Sequence, residues 1–564
     1  MSKQRKKFAA TTPVLTPEER SDRLVWVGLA LLIVVVGMLR LRLAPAPLER
    51  DEGEYAYAGQ LLLQGTLPFV EVYNMKMPGI YAAYAVVMAL FGQTATGIHV
   101  GLLAVNAISI VLLFVITRRY FRPTSSLIAA TSFACLTLNS DALGAFAHAT
   151  HFVALFGLGG FCVLLRPGQP LRWRHALGAG LLFGCAFMMK QHAAPFIVIA
   201  GIYLLWRLRG DAEQRMTKRA VCAALFAAGV LAPFLATCLL MWQAGVFQTF
   251  WFWTFDYAGA YVSKNSLARI PKNLGTTLAA MVPPTFVLCA FTLAGLCALW
   301  KRRGPAPFIL GALIAGIVAV SPGFYYRQHY FVLLFPVAAV LAALGAEWLA
   351  DRLPDSFRRT AGPALPLLLA GVAWAQYVAA DRAYLFIQTP AEVSRSIYAT
   401  NPFPESIEIA RYIREHTGPN DRIAIIGSEP QLCFYSGRRS VSGFAYLYPL
   451  MEDQPFAAQM QRQMIEQIEN RGPRLVVLVM VTTSWNASQK SEPMFLNWAQ
   501  RYVNERCERV GLVDISMAGT SYYWDDKQRG IGPRSKSWVG IYKPRGPAAS
   551  PSPVPNIERD GATR

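Results

Sequence analysis

Few residues in this 564-residue chain could do acid–base chemistry, and several of them crowd into one short stretch. Residues 1–380 hold only 15 acidic side chains, and five of these lie between Glu49 and Glu71. Asp51 and Glu52 are adjacent, Glu54 and Tyr55 follow, and Lys76 comes later in the same loop. A carboxylate can take the proton of an attacking hydroxyl. A nearby cation can stabilise charge that develops on a phosphate leaving group. The plainer reading is structural. Asp51 with Glu54 three positions later fits a capping box for a helix from about Glu52 to Gln64. That reading leaves Glu52 and Lys76 unexplained.

Other candidates are scattered. The segment Ser321-Pro-Gly-Phe-Tyr-Tyr-Arg327-Gln-His329-Tyr330 precedes an apolar block. Its Arg327 and His329 could meet an anion, or the segment could be an aromatic belt with a snorkelling Arg. Lys190, before Gln191 and His192, is as readily a ligand for an anion as an interfacial anchor. His148 and His151 could share a helical face, but two His without a third ligand make a weak metal signal. No divalent metal or other cofactor is supported. The aromatic run Phe250–Tyr257 around Asp256 reads as an interfacial anchor ahead of a sugar platform.

The elements that must position these residues follow from charge and hydropathy. The chain is 54% hydrophobic and 16% charged, yet carries a net charge of +20. Residues 381–564 hold 22 basic and 19 acidic residues, whereas residues 1–380 hold 32 and 15. Basicity therefore belongs to the apolar part, which excludes a disordered chain and an ordinary nucleic-acid binder. It suits a polytopic membrane protein whose Lys and Arg gather in cytoplasmic loops. Apolar blocks near 24–43, 96–117, 125–146, 150–165, 175–190, 193–206, 219–242, 276–300, 306–322, 330–349 and 361–380 give about eleven spans. The shorter block Met77–Gly92 reads as an interfacial or re-entrant helix. With the N-terminus inside, alternate loops collect the basic residues, and Asp51, Lys76, Lys190 and Arg327 all fall outside.

Residues 1–23 then form a cytoplasmic tail, and Leu24–Leu43 is a retained span, not a cleaved signal peptide. Residues 24–380 form the membrane domain, with the first outer loop at 44–95. Residues 381–543 read as an extracytoplasmic α/β domain. Its strands are expected at Arg422–Ile426, Arg474–Val481, Arg509–Ile515 and Trp538–Tyr542. It carries no nucleotide fingerprint. Cys433 and Cys507 could pair, though connectivity is not fixed by sequence. Residues 544–564 read as a disordered tail.

Asp51-Glu52 after a first span, an amphipathic helix, Gly65 and then Lys76-Met77-Pro78 closely resemble the first outer loop of a known enzyme group. These are the polyprenyl-phosphate-sugar-dependent membrane glycosyltransferases of the GT-C fold. The resemblance is to glycosyltransferase family 39, which includes protein O-mannosyltransferases and lipid A aminoarabinose transferases. It covers the N-terminal part best and the outer domain only weakly. It implies Asp51 as base, with Lys76 beside the lipid phosphate. Relatives often place Pro directly after that Lys; here Met77 intervenes. Relatives also carry a basic or aromatic cluster before a late span, which makes Arg327, His329 and Tyr330 further substrate-binding candidates, joined by Lys190 and Tyr55. Glu52 could hold a sugar by hydrogen bonds.

The expected protein is thus an α-helical polytopic, GT-C-like enzyme of the cell (inner) membrane with a C-terminal extracytoplasmic α/β domain. It would move a sugar from a polyprenyl-phosphate carrier to a lipid, glycan or protein acceptor with inversion. Its partners would be the donor, the acceptor and the bilayer, with no nucleic acid. The alternative is a transporter or lipid-sugar flippase. That class places ionisable residues mid-span and shows internal repeats. Only Asp141 fits the first criterion, and no repeat is evident.

Overall fold

The computed structural model describes residues 17–210, 216–300, 305–356 and 364–546. The expected disordered tail lies largely outside these, as does most of the basic N-terminal tail. Four helices are long and apolar enough to cross a membrane: Asp22–Leu43, Ala95–Arg118, Gln191–Arg209 and Met216–Gln243. The pair Leu267–Met281 and Pro283–Leu299, bent by 51°, would add a fifth. Pro78–Phe91, Pro123–Leu138, Ala149–Leu164, Ala306–Val320, Phe335–Ala350 and Leu365–Ala380 are shorter apolar helices. The longer blocks at 125–146, 330–349 and 361–380 fold as helices of 16 residues. Polar turns end them early. The block at 125–146 stops at Leu138, where the Asn139 side chain accepts from the backbone N–H of Asp141 and Ala142 at 2.7 and 3.1 Å. Asp141 thus sits in a turn, not inside a span.

The C-terminal end of α1 (Pro17–Leu43) is tied down by its own cations. Arg40 is 4% exposed and donates to the carbonyls of Gly144 (2.7 Å) and Thr137 (2.8 Å). Arg42 donates to the Tyr384 carbonyl at 3.1 Å. These two Arg satisfy carbonyls that helix ends leave open.

The acidic loop opens α2 (Arg50–Leu63). The capping box is there, but two residues earlier than the sequence suggested. Glu49 is the cap, accepting from Glu52 N at 2.9 Å, while Glu52 accepts from Glu49 N at 3.3 Å. Asp51 is thereby released from capping. The chain then runs to α3 (Pro78–Phe91), whose first turn begins with a Pro that suits that position.

The C-terminal part is built on a six-stranded sheet. Its strands are β1 (Arg422–Ile426), β2 (Arg439–Ser440), β3 (Leu475–Met480), β4 (Cys507–Ser516), β5 (Gly519–Trp524) and β6 (Ser537–Pro544), in the order β2-β1-β3-β6-β4-β5. β1 runs parallel to β2 and β3, while β6 is antiparallel to β3 and β4. β3 reads Leu-Val-Val-Leu-Val-Met and is buried on both faces, as an inner strand should be. The sequence reading missed β5, a hairpin partner of β4, and the two-residue β2. Cys433 and Cys507 are both free and buried.

The loop and the sheet region are one packed unit. Tyr73 pairs as an isolated bridge with Phe444, its N–H donating to Gly443 O at 2.7 Å. Glu71 bridges Arg422 (2.9 Å) and Arg439 (3.1 Å). Two glycines permit the approach. A Cβ on Gly53 would lie 2.6 Å from Gln431 Cβ, and one on Gly443 would lie 2.2 Å from the Tyr73 ring. The aromatic run at 250–257 serves the same packing. Phe252 meets Phe456 at 4.9 Å, and Trp253 meets Phe444 at 5.8 Å. Phe252 and Trp253 thus dock onto the C-terminal part, while Trp251 stays exposed.

Candidate active site

Asp51, on the first turn of α2, faces a cavity of about 380 Å³. Lys76, Lys190, Arg327, His148, His329 and Tyr330 line the same cavity, so the sequence candidates converge there. Asp51 Oδ1 accepts from Lys76 Nζ at 3.1 Å and from the Tyr446 hydroxyl at 3.0 Å. Its Oδ2 lies 4.0 Å from His148 Nδ1. Burial opposes ionisation of Asp51, but Lys76, His148 and Lys190 outweigh it and hold the carboxyl well below the usual range. Lys76 is pushed the other way: burial disfavours its charge, and Asp51 and Glu54 more than restore it.

Glu54 fixes the loop that carries Lys76. It is fully buried and accepts from Tyr81 Oη at 2.5 Å and from Asn74 Nδ2 at 2.7 Å. Asn74 in turn accepts from the N–H of Met75 at 2.7 Å. Burial, with the Asp51 charge adding to it, lifts Glu54 to about 7 against the pull of Lys76.

Lys190 caps the end of α7 (Trp173–Met189) and is 9% exposed. Its ammonium lies 4.2 Å from the Tyr330 ring centroid, within cation–π range. Burial and the charge of Lys76 press its pKa down to about 7, against the pull of Asp51. Arg327 is more open and lies over the Tyr325 ring at 5.6 Å. The turn that presents it is strained, with Phe324 and Tyr326 at φ 52° and 46°.

Two candidates stand elsewhere. Glu52 is fully buried and does not line the cavity. One of its oxygens meets His99 Nε2 at 2.9 Å and accepts from Ala147 N at 2.5 Å. Its role in holding a sugar is therefore corrected: it ties α2 to α4 (Ala95–Arg118) and to the turn before α6 (Ala149–Leu164). Tyr55 is 1% exposed and reaches the cavity only through Lys76, which donates to its hydroxyl at 3.4 Å.

His148 caps the start of α6, and its ring stacks on His329 at 4.1 Å and 9°. Burial drops His148 to about 4, against the pull of Asp51. Its partner is thus His329 rather than His151. Asp51, His148 and His329 bring one ligand atom each within 4.8 Å of one another, and neither nitrogen of the buried His148 makes a hydrogen bond among the described residues. The arrangement does not fit an ion as it stands. Two imidazoles stacked face to face direct their in-plane lone pairs along parallel planes and so do not converge on one ion.

The remaining wall comes from the C-terminal part and carried no local sequence signal. Tyr398, Asn401, Phe403, Tyr446, Tyr448 and Thr483 line it. Arg50, next to Asp51, pairs with the fully buried Glu429 at 2.9 Å and locks this wall to α2.

Residues 76–242 match the family model described as dolichyl-phosphate-mannose-protein mannosyltransferase. No curated protein matches the chain. Among solved structures, ArnT from Cupriavidus metallidurans bound to undecaprenyl phosphate is similar over 94% of this chain and 99% of its own, with TM-score 0.56 and 15% identity. The oligosaccharyltransferase AglB from Archaeoglobus fulgidus, in complex with an inhibitory peptide and a dolichol-phosphate, is similar over 91% and 75%, with TM-score 0.52 and 13% identity. The fold is thus that of the GT-C membrane glycosyltransferases, and the chain resembles those that use polyprenyl-phosphate-linked sugars.

Proposed function

We propose that this protein moves a sugar from a polyprenyl-phosphate carrier to an extracytoplasmic hydroxyl acceptor. The observation that carries this reading is the Asp51–Lys76 ion pair at 3.1 Å in a cavity that also holds Lys190 and Arg327. Of the carboxylates lining the cavity, Glu49 caps α2 and Glu452 is held by Tyr257 and Lys264; Asp51 beside three cations suits an incoming anion with a base next to it.

The carrier phosphate sits among Lys76, Lys190 and Arg327. The acceptor oxygen attacks the anomeric carbon as its proton passes to Asp51. The bond from that carbon to the phosphate oxygen breaks, its electron pair stays on the phosphate, and the cations stabilise it. A single displacement inverts the centre. By themselves the cations keep Asp51 a poor base. A bound phosphate shares those cations and raises the proton affinity of Asp51 when a base is needed.

An apolar cavity supports a prenyl carrier. It is lined by Leu113, Phe161, Phe196, Phe308 and Leu333 and adjoins a groove of about 520 Å³ that reaches Tyr120 and Trp206. Leu333, which lines the apolar cavity, stands on the same short helix, Gln328–Leu333, as His329 and Tyr330, which line the polar one. The Lys and Arg bias argues for an inner-membrane protein with a cytoplasmic N-terminus, a membrane domain at 24–380 and an outer α/β domain at 381–543. The transporter reading loses its one mid-span acid, since Asp141 lies in a turn.

Mass spectrometry of lipid co-purified with the protein tests the proposal. A polyprenyl-phosphate sugar, or its bare phosphate, is the expected species. Bulk phospholipid alone, with no binding of added polyprenyl phosphate, would refute it.

A further inference from the structure

The cavity has two chemically different halves. Toward the membrane helices lie Glu49, Asp51, Lys76, Lys190 and Arg327, with Glu49 taken up in capping α2. Toward the C-terminal part lie Tyr446, Tyr448, Phe403, Asn401, Thr483 and Asn486. The charges in this second half are already matched. Arg50 is held by Glu429 at 2.9 Å, by the Asn401 side-chain Oδ1 at 3.0 Å and by Ser428 O at 2.6 Å. Glu452 accepts from the Tyr257 hydroxyl at 3.0 Å and pairs with Lys264 at 3.7 Å.

What remains to meet a ligand is uncharged. Tyr446 and Tyr448 stand with ring centroids 5.6 Å apart. Tyr448 donates its hydroxyl to Thr483 O at 2.6 Å, and the Arg50 guanidinium lies 5.3 Å from its ring centroid, which fixes the ring and leaves its other face for a ligand. Asn486 follows on the same short segment in the left-handed region, at φ 53° and ψ 29°. A non-glycine residue held there is uncommon, and Asn is among those that tolerate it. Its side chain is exposed on the cavity wall and makes no hydrogen bond among the described residues. Aromatic faces beside an amide recognise a ring that has apolar C–H faces and hydroxyl edges.

We infer that the C-terminal part supplies the subsite for the transferred sugar, with Tyr448 and Asn486 contacting it, and that this sugar is a neutral, hydroxyl-bearing ring. The placement rests on the proposed function. A sugar joined to a phosphate at Lys76, Lys190 and Arg327, with its anomeric carbon open to an acceptor near Asp51, has the Tyr446–Tyr448 wall beside it. Tyr446 touches Asp51 itself at 3.0 Å, so this wall starts where the reacting atoms would be.

The test compares two lipids on the purified full-length protein: bare undecaprenyl phosphate, and the same lipid carrying a neutral hexose. Tyr448→Ala and Asn486→Ala should weaken the hexosyl lipid about tenfold, the loss of a ring face or a hydrogen bond or two. They should leave the bare lipid unchanged. Tyr448→Phe, which keeps the ring, guards against a folding defect and should bind the hexosyl lipid better than the Ala variant. The inference is overturned if the rim variants spare the hexosyl lipid, or weaken both lipids alike. Tighter binding of an amine-bearing pentosyl lipid than of the hexosyl one would overturn the neutral-sugar assignment. Lys76→Ala should weaken both lipids; if it weakens neither, the phosphate site is misassigned, whatever the rim variants do.

Discussion

The Tyr446 hydroxyl donates to Asp51 Oδ1 at 3.0 Å, joining two residues 395 positions apart. Lys76 Nζ donates to the same oxygen at 3.1 Å. Asp51 is thus oriented from both sides, by the loop that follows it and by the C-terminal part. Its other oxygen is left facing the cavity.

Asp51→Asn should abolish sugar transfer while leaving carrier-lipid binding in place, because Asn keeps the shape but accepts no proton. Tyr446→Phe should lower kcat by a smaller factor, about tenfold, as one hydrogen bond to a charged group is lost. Single-turnover transfer with a saturating polyprenyl-phosphate sugar measures both. Undiminished transfer by the Asn variant would remove Asp51 as the base.

Lys190 gives a pH dependence of predictable sign. Its pKa is depressed to about 7, so it is cationic below that value and neutral above it. A sugar phosphodiester keeps one negative charge across this range. Donor affinity should therefore fall as pH rises through the neutral region. Lys190→Arg, whose guanidinium stays charged, should flatten the profile between pH 6 and 9. Titration of donor binding against pH in both proteins decides the point.

Glu429 is fully buried and is the carboxylate partner of Arg50. Removing one member of a buried pair typically costs about 3–5 kcal/mol. Glu429→Ala should lower the unfolding midpoint in detergent and loosen the C-terminal part from α2. Limited proteolysis should then release a C-terminal fragment that the unaltered protein retains.

Glu52 separates position from chemistry. The carbonyl of Ala44 lies 2.7 Å from His99 Nδ1 and can only accept, so Nδ1 carries a proton. The remaining ring nitrogen meets Glu52. The same Glu52 oxygen meets Ala147 N and His99 Nε2, so Gln at position 52 keeps only one of these two contacts; Glu52→Gln should retain transfer within about tenfold while losing about 1–3 kcal/mol of stability. Glu52→Ala leaves buried polar groups without partners, at about 1–3 kcal/mol each, and should lower thermal stability. A Gln variant that folds but is inactive would return Glu52 to the chemistry.

The sequence by itself determined much of this. The apolar blocks and the placement of Lys and Arg marked a membrane chain. The scarcity of acids in its first part made the stretch from Glu49 to Glu71 conspicuous. The spacing of β-branched and apolar residues located four of the six strands, because buried strands write their burial into adjacent positions. Tertiary structure decided which of the candidates share a site. Asp51 and Glu52 are neighbours in sequence, yet successive helical positions point about 100° apart, so one faces the cavity and the other is sealed against His99. Capping by Glu49 instead of Asp51 was a choice between two overlapping patterns that only packing could make. The wall of Tyr446, Tyr448 and Asn486 left no local trace at all. Those residues come from loops of the sheet region, and what brings them to Asp51 is docking through Glu71, Arg50 and two glycines, contacts between segments hundreds of residues apart.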